Sequence, residues 1–132
     1  MTLLRRVLKV QAALWALVGL VCVILPASAA ARLGDPGSGA GTDAIVRVLG
    51  IAAIVLAMLM VLVAQRADTW WWSWSFALLE AGVATVAVLH ALVGAPEGSS
   101  VAIWWLLGGA SAAFAVLDLI GLARAEQTKP FA

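Results

Sequence analysis

Cysteine, histidine and tyrosine are nearly missing from this chain: one Cys, one His and no Tyr in 132 residues. A single cysteine, Cys22, excludes an intramolecular disulfide, and no Cys/His spacing suggests a metal site. Cys22 sits deep in an apolar run and reads as a small hydrophobe rather than a redox centre. His90 has no second histidine with which to share a haem or a metal ion. Charge is scarce as well, with 11% Asp, Glu, Lys and Arg and a formal net charge of +1. That balance offers no broad basic field for a nucleic acid. No Ser/His/Asp or Cys/His set is present, so no catalytic site, enzyme activity, metal or cofactor is expected. Lysine occurs only at positions 9 and 129 beside abundant Ala, Val, Leu and Gly, a composition associated with bacterial proteins.

Apolar sequence occupies most of the chain. The hydrophobic fraction is 64%, against about half in globular proteins. It is concentrated in four runs, at residues 7–30, 45–64, 71–93 and 101–123. Each reaches or approaches the roughly 20 helical residues needed to cross about 30 Å of hydrocarbon. The expectation is one domain over residues 1–132: an all-α, integral membrane four-helix bundle with up-down topology, partnered first by the lipid bilayer. The segment 32–42 reads R-L-G-D-P-G-S-G-A-G-T. It has no apolar period and follows no strand, so it reads as a flexible external connection and not as a phosphate loop. Thr42 or Asp43 is a candidate cap for the second helix.

The amino end raises a choice. Arg5, Arg6 and Lys9 precede an apolar stretch, Pro26 and Ala27-Ser28-Ala29, which resembles a signal peptide with an A-x-A exit. The apolar stretch is long for a signal core and continues to Ala31, which favours a retained first helix. Lys and Arg then set the orientation. Arg5, Arg6, Lys9, Arg66, Arg124 and Lys129 lie on one side, and Arg32 and Arg47 on the other. Cytoplasmic flanks collect Lys and Arg, so both termini are expected in the cytoplasm of a bacterial inner membrane. Trp70, Trp71, Trp72 and Trp74 crowd the start of the third run, and Trp104 and Trp105 the start of the fourth. Indoles suit the headgroup level. Adjacent helical residues diverge, so three consecutive Trp cannot form one aromatic cage.

Polar groups inside the runs carry the functional expectation. Glu80, His90 and Asp118 are ionisable residues within predicted spans. Glu80 lies nine residues after Trp71, about 13.5 Å at the helical rise. Asp118 lies five residues before Ala123, about 7.5 Å from the cytoplasmic end by the same rise. Lys9 and Gln11 enter from that side, so Lys9, Gln11, Glu80 and Asp118 can form one buried polar cluster if their faces converge. Such residues usually face the protein interior and find partners there. The cluster serves as a structural knot or, alternatively, makes Glu80 a protonation site for coupled transport. Arg47 and His90 are expected near the outer headgroups. Gly108/Ala112 and Gly109/Ala113 are small-xxx-small pairs, which let helices approach closely within the bundle or across a homodimer seam.

The basic amino end, Gly19 followed by Pro26, and Arg47-Val-Leu-Gly50 at the start of the second run resemble small bacterial membrane proteins of the DoxX-like and related uncharacterised families. The resemblance covers the whole chain on short motifs. It implies a four-helix membrane component, sometimes associated with redox partners. Small multidrug-resistance transporters also have four short helices, but their essential glutamate lies in the first, where this chain has no acidic residue. The expected role is a scaffold or accessory subunit that associates with itself or with a larger membrane protein. The alternative is an oligomeric, proton-linked transporter of small hydrophobic or cationic compounds.

Overall fold

A computed structural model describes residues 2–34, 39–66 and 70–127. It is all-α, with α1 Thr2–Ile24, α2 Pro26–Arg32, α3 Ala40–Gln65, α4 Ser73–Val93 and α5 Val101–Gln127. A 3-10 turn, Trp70–Trp72, leads into α4. Four of these helices (α2 is the exception) are long and apolar enough to cross a membrane.

The boundaries differ from the apolar runs for local reasons. The first run is two helices, because Leu25 leaves the helical region at φ −125°, ψ 58°. A residue before proline is pushed out of the α conformation, and proline then suits the first position of the next helix. The α3 helix starts at Ala40, and its cap position is Gly39 with no side-chain cap. Thr42 and Asp43 are thus inside the first turn, where Asp43 complements the helix dipole. The α5 helix runs past Ala123 to Gln127, through polar residues that an apolar run cannot register. The Gly-rich connection is described only at its ends, since residues 35–38 lie outside the described residues, as does Lys129.

Helix packing follows a repeat of alternating four- and three-residue steps. On α5 the buried positions include Trp104, Gly108, Ser111, Ala115, Asp118, Leu122 and Ala125. On α4 they include Ser73, Ala77, Glu80, Ala84 and Ala87, and on α3 they are Gly50, Ala53, Ala57, Met60 and Ala64. This spacing keeps one narrow seam facing a neighbour along the whole helix. Most seam residues are Gly or Ala, so backbones come close. A Cβ built on Gly19 would stand 2.7 Å from the Gly50 carbonyl oxygen, and one on Gly50 would stand 2.7 Å from that of Gly19.

The α1 helix packs chiefly on α3, and α4 on α5; a smaller contact joins α1 to α5, and α3 touches α4 only slightly. Leu4, Leu8, Met60, Ala64, Phe76 and Leu122 belong to one apolar cluster. That cluster gathers the start of α1, the end of α3, the start of α4 and the end of α5. At the opposite end, Gly34 lies against Pro96 and Glu97 in the connection between α4 and α5.

Candidate functional site

The seam that carries alanine also carries acid. Gln11, Glu80 and Asp118 occupy seam positions on α1, α4 and α5, with exposures of 0%, 2% and 0%. Gln11 Nε2 donates to Glu80 Oε1 at 2.8 Å, and Trp15 Nε1 donates to the same oxygen at 2.7 Å. Gln11 and Trp15 are one helical turn apart, which places both donors on one face of α1. Among the described residues, α1 and α4 have no Cα atoms within 8 Å of each other. Long side chains therefore bridge the diagonal of the four-helix arrangement. A hydrogen bond to a carboxylate is roughly twice as strong as a neutral one, and two on one oxygen offset part of the cost of burying it.

Asp118 is differently placed. It lies beside the Gln11 side chain and Glu80, but neither of its oxygens makes a hydrogen bond of good geometry, and Gln11 Oε1 has no partner either. Three acceptor atoms, one on Gln11 and two on Asp118, are thus buried without a hydrogen-bonded donor. The apolar cluster of Leu8, Ala12, Phe76 and Leu122 closes the site toward the chain ends.

Of the four residues expected to form one cluster, Gln11, Glu80 and Asp118 come together and Lys9 does not. Lys9 is exposed. Two residues from Gln11 on a helix, it points about 200° away and extends along the outer surface, where a lysine stem can carry its charge toward water. Trp15, absent from that expected set, is a principal member. Its signal was available: an indole in the middle of an apolar run, far from either boundary, has an N–H that must find a partner.

The remaining expected residues scatter. Arg47 is exposed, whereas His90 is half-buried and packs against Trp104, with ring centroids 4.7 Å apart and planes tilted by 42°. Trp104 is only 8% exposed, and its Nε1 donates to Ser99 Oγ at 2.9 Å. The Ser99 hydroxyl in turn donates to the Pro96 carbonyl at 2.7 Å. Trp105 faces outward as a boundary indole would, but Trp104 pins the α4–α5 connection to α5. In the segment 108–113, Gly108 alone of the four expected packing residues is buried, and a Cβ there would stand 3.0 Å from Val88 Cγ2. Gly109, Ala112 and Ala113 are exposed, because the four–three repeat runs through 108, 111 and 115 and turns them away.

Two apolar grooves flank α4. One, of about 650 Å³, lies along α4 and α5 and includes Leu78, Gly82, Val86, Trp104 and Leu107. The other, of about 570 Å³, lies between α3 and α4 and includes Leu59, Arg66, Trp72 and Phe76. Neither is lined by Gln11, Glu80 or Asp118. Among the described residues no three His, Cys, Asp or Glu side chains stand where they could hold a metal ion.

Comparison with protein-family models, curated proteins and solved structures finds no match. The functional reading therefore rests on the geometry of the chain itself.

Proposed function

We propose that this chain is a multi-pass protein of the bacterial inner membrane, an up-down four-helix bundle that acts as a scaffold or accessory subunit without catalysis. It works by helix association with a second copy or with a larger membrane protein. The observation that carries this reading is the sealing of Gln11, Glu80 and Asp118 into the helix seams, away from both grooves. Polar groups buried on a four–three seam fix which helices pair and in what register. Buried this way they do not meet a substrate in either groove. The outward surface is mostly apolar along the long helices, and Gly109, Ala112 and Ala113 leave a flat strip on α5 where another helix can approach.

The test is the mass of the complex released from native membranes into polymer nanodiscs. A fixed stoichiometry with another polypeptide, or with further copies of the chain, is the expected result. A lone chain would contradict the proposal. A second reading, an oligomeric proton-linked transporter, is favoured by the buried pair of carboxyl groups. It requires that a self-oligomer carry a small hydrophobic or cationic compound.

Orientation is part of the same proposal. Leu4, Ala64, Leu122 and Ala125 share one cluster, so Arg5, Arg6, Arg66 and Arg124 gather at one end of the bundle. Arg32 and Arg47 belong to the end where Gly34 meets Pro96. Cation-rich ends stay in the cytoplasm. A reporter fused after the last residue should be active inside, and one placed between Gly34 and Gly39 should be active outside. The reverse pattern, or the same sidedness for both, would refute the proposed topology.

A further inference from the structure

The three donorless acceptors around Gln11 have a simple chemical resolution. Asp118 Oδ1, Asp118 Oδ2 and Gln11 Oε1 are all buried with no hydrogen-bond partner. One proton on an Asp118 oxygen turns that oxygen into a donor and gives Gln11 Oε1 what it lacks. It also removes a second negative charge from beside Glu80, and two carboxylates sharing a buried site do not both ionise readily.

We propose that Asp118, Gln11 and Glu80 form a one-proton binding site between α1, α4 and α5. In it the Asp118 hydroxyl donates to Gln11 Oε1, and Glu80 accepts from the N–H groups of Gln11 and Trp15. The glutamine amide reads the two carboxyl groups differently. Its Nε2 donates to Glu80, which must accept, so its Oε1 is left to face a group that can donate. Gln11 thus assigns the proton to Asp118. Release of the proton breaks only the Asp118 O–H bond. The electron pair stays on the carboxylate and the proton passes to water or buffer.

Among the described residues, the cations lie away from the site along their helices. From α1, Lys9 and Arg6 are exposed and Arg5 is half-buried, with Arg5 six residues from Gln11, or about 9 Å along the helix. The α3 helix has no titratable side chain between residues 48 and 64. On α4 the next titratable group after Glu80 is His90, ten residues on, or about 15 Å away along the axis. On α5 Arg124 is exposed and six residues past Asp118, again about 9 Å along the helix. The site goes beyond the scaffold role and holds whether or not that role does.

Infrared spectroscopy of the full chain in lipid nanodiscs at neutral pH tests the assignment. A protonated carboxyl has its own carbonyl stretch, separate from ionised carboxylates and amides, and it moves on exchange into heavy water. The wild type should show one such band. Growth on 13C-labelled aspartate should move it, and 13C-labelled glutamate should leave it in place. Asp118→Asn should abolish it completely, while Glu80→Gln should retain it. A wild type with no such band, or a band moved by labelled glutamate, would overturn the proposal. The isotope comparison needs no substitution, so the test stands even if a variant does not fold.

Discussion

Gly50→Leu should destabilise the detergent-solubilised protein by about 3 kcal/mol, at the upper end of the usual range for overpacking a filled core. The neighbours that a side chain at Gly50 would meet are the Gly19 carbonyl oxygen at 2.7 Å, Cys22 Cβ at 2.8 Å and Val23 Cγ2 at 2.9 Å. A backbone carbonyl cannot rotate aside as a side chain can, so α1 and α3 must separate along a seam lined by Gly and Ala. Gly19→Leu should behave alike, since it meets the Gly50 oxygen and Ile54. Gly108→Leu should cost less, because its closest neighbour is the tip of Val88. Gly109→Leu should be neutral or slightly stabilising: nothing lies within 4 Å of a Cβ there, and leaving glycine gains up to about 1 kcal/mol of helix propensity. Unfolding midpoints of the four variants check the order. If Gly109→Leu proved as damaging as Gly50→Leu in a chain kept monomeric, the assignment of the α5 seam would be wrong.

Glu80→Leu should be the most damaging change in the polar site, and Glu80→Gln nearly silent. Leucine would leave Gln11 Nε2 and the Trp15 indole N–H without their acceptor, at about 1–3 kcal/mol for each buried donor. Relief of the buried charge offsets part of that loss. Glutamine keeps an oxygen that can accept both bonds. Thermal or denaturant unfolding should therefore place Glu80→Gln above Glu80→Leu by at least about 1 kcal/mol. Were Glu80 on an outward apolar surface, leucine would be the better tolerated of the two.

The long helices are legible in the sequence because length and hydropathy alone identify an element that can cross a membrane. Their ends are less so. Ala40, Gly41 and Thr42 carry no apolar signal although they begin α3, and Arg124 and Glu126 look like a tail although they continue α5. The depth of Glu80 and Asp118 could be counted from the run boundaries, and Gln11 with them. Which faces converge could not, because single polar residues do not fix the rotation of a helix. Lys9 shows the error that follows. It has the right depth for the cluster, but residues two apart on a helix do not share a face. The four–three repeat would have sorted Gly108 from Gly109, had it been extended backward from Asp118 through Ser111. Trp15 needed only the question of where its N–H goes.

The claim on which the rest depends is that α1 and α4 meet through a buried carboxylate that bridges the bundle. A double-mutant cycle between Gln11 and Glu80 tests it most directly, with unfolding free energies measured for Gln11→Leu, Glu80→Leu and the pair. Side chains bonded at 2.8 Å should couple by about 0.5–3 kcal/mol, so that the second substitution costs clearly less once the first is made. Additive losses would mean that the two side chains do not meet, and would contradict the site described here.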